Sequence, residues 1–238
     1  MLGALILGPI EAPANEKRPA PAAGQVKPAK ATTAKLEGRR FWPHDTSDLS
    51  PDSALIYGRL ANGFRYVVLP NSEPRDRVSL HLNVQTGSLH ETDRERGLAH
   101  FLEHLLFCGS THFPPGELVK YFQRIGMQFG PDANAHTGFQ ETVYDILLPD
   151  ATAEGLENGF LVLSDYAQGA LLLPTEIDRE RKVILSEMRA RDSASYRILD
   201  ASFQFEFDDT LVAQRLPIGK ADVIQQATSK DLKHFYDT

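Results

Sequence analysis

Two histidines four residues apart with a glutamate between them, His100-Phe101-Leu102-Glu103-His104, are the residues of this chain best suited to chemistry. On a helix, side chains at i and i+4 leave the same face one turn apart, so both imidazoles can hold one metal ion. Glu103 follows His100 by three positions and precedes His104 by one, which lays its carboxylate beside that ion. Zinc held by two histidines and a carboxylate keeps a coordination position for water. It lowers that water's pKa towards ~7 and polarises a carbonyl. Glu103 is then placed to take the water's proton and pass it to a leaving amine. The third ligand must come from another element. Glu180 and Glu187, seven apart and thus on one helix face, can each supply it.

Several elements must bring these groups together. Val78, Leu80, Leu82 and Val84 alternate with Ser79, His81 and Asn83, the pattern of a strand with one buried face. Residues 64–69 and 142–148 read as further strands. A helix over residues 93–107, stopped by Gly109, carries the histidines. Pro114-Pro115-Gly116 opens a second helix that ends at Gly126. Helices follow over 152–168 and 175–192, the latter bearing both glutamates, with more helix near 195–206 and 228–237. There is no internal repeat. Helical crossovers are too few for a doubly wound sheet, so the fold class is α+β, a mixed, mainly antiparallel sheet covered by helices.

The order H-x-x-E-H is the inverted form of the zinc-protease helix. The run Gly97-Leu98-Ala99-His100-Phe101-Leu102-Glu103-His104-Leu105-Leu106-Phe107-Cys108-Gly109-Ser110 resembles the active-site helix of the M16 peptidases, the family of pitrilysin, insulin-degrading enzyme and mitochondrial processing peptidase. Other segments match in the family's order. Gly87-Ser88 and Glu91 precede the helix, and Asn134-Ala135-His136-Thr137 and Thr142-Val143-Tyr144 follow it. Glu180-Arg181-Lys182-Val183-Ile184-Leu185-Ser186-Glu187 and Leu216-Pro217-Ile218-Gly219 come later. The resemblance runs from about Tyr57 to the C-terminus.

This resemblance implies an M16 half-domain with one Zn2+ on His100, His104 and a glutamate, and Glu103 as the base. By distance from His104, Glu180 suits the family spacing. By local motif Glu187 does, because the resembling enzymes carry two glutamates seven apart and the second is the ligand. The local motif is the guide adopted, since extra residues around 128–132 account for the longer gap. Glu187 is then the ligand, and Glu180 a carboxylate that orients a ligand or tunes the charge of the site. The resemblance also puts Asn134 and Ala135 on an edge strand beside the metal, where an extended peptide can add as a further strand. A turn over Pro131-Asp132-Ala133-Asn134 is the competing reading.

The implied activity is that of a zinc endopeptidase acting on peptides or small unfolded polypeptides. Residues 41–238 read as an N-terminal M16-like domain without its last strands. A second M16-like domain or a partner subunit is implied to close over the peptide, and an unfinished sheet edge invites self-association. The alternatives are a non-catalytic M16-like binding or assembly module, and a zinc hydrolase for small non-peptide substrates, against which a strand edge argues.

Other features bound the reading. His81, His90, His112, His136 and His234 have no partner at ligand spacing. Cys108, the single cysteine, excludes an internal disulfide; it is a further candidate donor, though a buried apolar role suits a free cysteine better. Phe101, Phe107 and Phe139 suit core packing more than a side-chain pocket. The 25 basic and 32 acidic groups are dispersed, with no basic footprint for nucleic acid. Residues 1–40, rich in Pro, Ala and Lys, read as a disordered leader or linker. Their apolar start, residues 2–10, is too short to span a membrane and reads as the remnant of a signal peptide. That points to a periplasmic or secreted protein, with a soluble intracellular one as the alternative.

Overall fold

The computed structural model describes residues 42–238; the leader expected over residues 1–40 lies outside them. The described residues form two compact units, one reaching to Arg75 and one running from Asp76 to Thr238. In the first, β1 (Ile56–Arg59) and β2 (Arg65–Val68) pair as an antiparallel hairpin. Gly63, at φ 96°, turns the chain between them. Trp42 and His44 meet Tyr57 edge-on, and Arg65 lies over the Trp42 ring.

The second unit carries the candidate site. Its sheet consists of β3 (Val78–Val84), β4 (Ala133–Thr137) and β5 (Thr142–Leu148), in the order β3-β5-β4 and antiparallel throughout. The alternation in the sequence sets the register. Leu80 opposes Ile146 and Leu82 opposes Tyr144, all four buried. On the other face, exposed His81 opposes Asp145, with Nδ1 2.5 Å from Oδ1. β4 is an edge strand, with β5 as its one neighbour among the described strands.

Seven α-helices are described: α1 (Leu98–Leu105), α2 (Glu117–Arg124), α3 (Ala153–Gln168), α4 (Pro174–Arg191), α5 (Ala194–Glu206), α6 (Ala221–Gln226) and α7 (Ser229–Asp237). Thr152 caps α3 by accepting the Gly155 N–H. Gly159 lets that helix close on the sheet, since a Cβ there would stand 2.6 Å from Leu80 Cδ1. Phe122, Tyr144, Ile146, Val162 and Tyr166 form the core under the sheet. A second core joins Leu98, Phe101, Leu102 and Leu105 of α1 to Ile177, Ile184, Ile224 and Leu232 of α4, α6 and α7. Burial of each such side chain stabilises by about 2 kcal/mol. The histidine helix is therefore held by its neighbours on several sides.

Some boundaries differ from those expected. The histidine helix starts at Leu98, not at residue 93. Gly97 adopts φ 103°, outside the helical range, and the preceding residues form turns closed by Glu95 N–H to Thr92 O and Leu98 N–H to Glu95 O. Residues 133–137 form a strand, and the turn before it covers Gly130, Pro131 and Asp132. The short β1 and α6 were not expected, as neither is long enough to show a period.

Candidate metal centre

His100 and His104 leave α1 together, their ring centroids 4.8 Å apart and their planes at 81°. Glu187 reaches both from α4. Its Oε2 lies 3.6 Å from His100 Nε2 and 3.7 Å from His104 Nε2. These separations are long for hydrogen bonds. They suit donors that share an ion, because ligand atoms ~2.1 Å from a tetrahedral zinc stand roughly 3.4 Å from one another. One donor atom of each residue lies within 4.8 Å of the others, and among the described residues no other His, Cys, Asp or Glu group gathers in this way. The donor set thus fits zinc.

Glu180 sits on the far side of His104. His104 Nδ1 lies 3.3 Å from Glu180 Oε2, so an Nδ1–H donates to the carboxylate and leaves the Nε2 lone pair facing Glu187. Arg179 Nε donates to the other Glu180 oxygen at 3.3 Å. Arg191 pairs with Glu187 Oε1, one turn further along α4, and so holds Oε2 toward the histidines. Burial and the neighbouring His104 bring the His100 pKa down to about 4, which keeps that ring neutral and able to donate a lone pair. Burial pulls His104 the other way from its surroundings, but the Glu180 hydrogen bond and three nearby carboxylates raise its pKa overall. Burial pushes the Glu180 pKa up, but the hydrogen bonds and charges of His104 and Arg179 together outweigh it and lower the carboxyl overall.

Glu103 turns toward the sheet. Thr137, the last residue of β4, donates its hydroxyl to Glu103 Oε2 at 2.5 Å. Burial raises the Glu103 pKa, with Thr137 partly opposing it. The structure puts exposed Asn134 and half-buried Ala135 on the edge strand, and Asn134 Oδ1 accepts the Ala135 N–H at 3.0 Å. Cys108 does not join the donor group. Its thiol donates to His104 O at 3.4 Å, and burial pushes its pKa up to about 12. Phe101 is fully buried, Phe107 packs on Tyr144 and Tyr166, and Phe139 stacks on Phe203.

Three contributors escaped the sequence reading. Arg191 stands four residues after Glu187, a spacing that marks an ion pair on a helix. Arg179 is adjacent to Glu180. Thr137 lies in a segment already singled out, but its reach to Glu103 depends on tertiary packing.

The insulinase (peptidase family M16) model matches residues 66–206. The chain belongs to peptidase family M16. It is 38% identical over 188 residues to the probable zinc protease PqqL of Escherichia coli (strain K12), covering 79% of this chain and 20% of that protein. The crystal structure of the periplasmic protease PqqL from Escherichia coli matches with a TM-score of 0.77, over 79% of this chain and 21% of that one. A mutant of the ferredoxin protease FusC, in complex with Arabidopsis ferredoxin, matches with a TM-score of 0.72 at 32% identity, over 77% of this chain and 20% of that one. The chain thus spans about a fifth of the length of these M16 relatives. Among the described residues no helix is long and apolar enough to cross a membrane.

Proposed function

We propose that this chain is the catalytic part of a zinc endopeptidase that hydrolyses extended peptides or small unfolded proteins. One observation carries the reading: a three-donor group on α1 and α4 adjoins a half-buried carboxylate, Glu103, that is tied to edge strand β4. His100 Nε2, His104 Nε2 and Glu187 Oε2 would hold one zinc ion. When bound, zinc supplies a Lewis acid for the scissile carbonyl and a lowered pKa for the attacking water.

The chain's own residues do the rest. Glu103 takes a proton from the water and returns it to the leaving amine, and its raised pKa suits a group that must both accept and release. Thr137 fixes Oε2 of Glu103 and leaves Oε1 for the proton. Glu180 keeps Nδ1 of His104 protonated, so that Nε2 is the available donor. The outer edge of β4 at Asn134 and Ala135 takes the peptide as an added strand, a recognition of backbone rather than of sequence. The Ala135 N–H then exchanges the Asn134 side chain for the substrate.

A second M16-like domain, in the same polypeptide or in a partner, closes over the peptide. The length of the relatives supports this. The ferredoxin bound to FusC supports a polypeptide substrate. The periplasmic relative and the apolar start of the chain support a periplasmic or secreted location.

The test is hydrolysis of an unstructured peptide by the full-length protein, with and without a chelator. Chelation abolishes activity and zinc restores it, while Glu103→Gln retains zinc and slows turnover by about 10²–10⁴-fold. Activity indifferent to the chelator or to Glu103→Gln contradicts the proposal. A full-length protein that bound zinc yet cleaved nothing in a peptide library would instead be a binding module.

A further inference from the structure

We propose that Glu91 is a positioning residue for the metal site: its carboxylate caps α1 from outside the helix and so fixes the first turn, on which the placement of His100 and His104 depends. The N-terminal amides of a helix need acceptors, and Gly97, at the cap position of α1, has no side chain to offer one. Glu91 supplies both acceptors. Its Oε2 takes the Gly97 N–H and its Oε1 takes the Ala99 N–H, each at 2.9 Å. Ala99 is the residue before His100.

The residue is locked in turn. Its backbone carbonyl accepts from buried Arg215 Nε at 3.0 Å, and Arg215 Nη2 reaches Asp93 at 3.0 Å. The segment after Arg215 grips the same turn. The Lys220 N–H donates to Arg96 O at 3.2 Å. Gly219 and Gly97, both at positive φ, lie so close that a Cβ on Gly219 would stand 2.3 Å from Gly97 Cα. Two stretches that the sequence singled out without a role, around Glu91 and around Leu216 to Gly219, therefore close on the first turn of the histidine helix.

A carboxylate there also complements the positive end of the helix. It is held at a cost, since burial pushes the Glu91 carboxyl up to about 7. A group kept only for stability would be better uncharged at this depth. The consequence for zinc rests on the peptidase reading; the cap itself does not.

The experiment compares the full-length wild type with Glu91→Gln and Glu91→Ala. Glutamine keeps the length of the side chain but can accept only one of the two N–H groups. The readouts are amide hydrogen exchange at Gly97 and Ala99 in the metal-free protein, zinc affinity by competition with a chelating dye, and kcat and KM separately. In Glu91→Gln at least one of the two amides exchanges about tenfold faster, as for a lost helix cap. Zinc affinity falls about tenfold and kcat falls with KM unchanged, while the melting temperature at pH 8 does not drop. Unchanged exchange at both amides overturns the cap. Faster exchange with unaltered zinc affinity and kcat overturns the positioning role, as does a loss of activity that only parallels a loss of melting temperature. A wild type that takes up no zinc sinks the peptidase reading instead, and is told apart because the exchange difference between wild type and variant persists.

Discussion

The two helices that meet at the candidate site hold their side chains by different means. α1 has eight residues, of which six are buried, and is too short to be stable in isolation. Core packing and the borrowed Glu91 cap set its place. α4 has eighteen residues, of which Ile177, Glu180 and Ile184 are buried, and it begins with a proline suited to a helix start. Its site carboxylates are aimed by charged partners, Glu180 by His104 and Arg179, and Glu187 by Arg191. The nitrogen donors are thus fixed by the core, whereas the oxygen donor is adjusted by ion pairs. Damage on α1 should reach the fold; damage on α4 should stay in the site.

The sharpest way to break this contrast is to remove one donor from each helix. His100→Ala and Glu187→Ala should each weaken zinc binding by at least about 10³-fold, since each deletes one of the three proposed ligands. Only His100→Ala should also lower the melting temperature of the metal-free protein, because His100 is buried and Glu187 is not. Equal melting temperatures for the two variants would erase the distinction.

A second effect belongs to the α1 side alone and follows pH. Folded Glu91 keeps its proton up to about 7, whereas the unfolded chain releases it near the ordinary value of 4.5. Between those values the folded state binds more protons, so stability falls as pH rises through the window. Denaturant unfolding of the wild type should lose on the order of 3 kcal/mol between pH 4.5 and 8 relative to Glu91→Gln. A flat difference would show that Glu91 ionises without penalty.

The α4 side should answer in smaller steps. Glu180→Gln should cost 10- to 100-fold in zinc affinity, as loss of a partner that orients a ligand does, with the fold unaltered by circular dichroism. Arg191→Ala removes an ion pair that is half exposed and should weaken zinc binding only about threefold. A loss as large as that of Glu187→Ala would mean that Arg191 is not merely aiming the carboxylate.

Much of this arrangement was legible in the chain because periodicity is a local signal. The alternation of Val78 to Val84 gives β3 its bounds, and Thr142 to Leu148 likewise matches β5. The histidines and glutamates were legible because their spacings, four and seven, place them on helix faces. What stayed hidden is tertiary. Nothing local reveals that Glu91 reaches over six and eight residues to cap α1 and so moves its start to Leu98. Thr137 finds Glu103 only once β4 packs beside α1. The proposed division of labour between Glu180 and Glu187 turns on which nitrogen of His104 each one faces, and spacing alone cannot distinguish the two.

That division is most directly tested by anomalous diffraction at the zinc edge on crystals of the zinc-loaded protein. The account predicts one zinc peak bonded to His100 Nε2, His104 Nε2 and a Glu187 oxygen, with Glu180 hydrogen-bonded to His104 Nδ1. A zinc ion ligated by Glu180 with Glu187 turned away, or no zinc at the histidines, would contradict it.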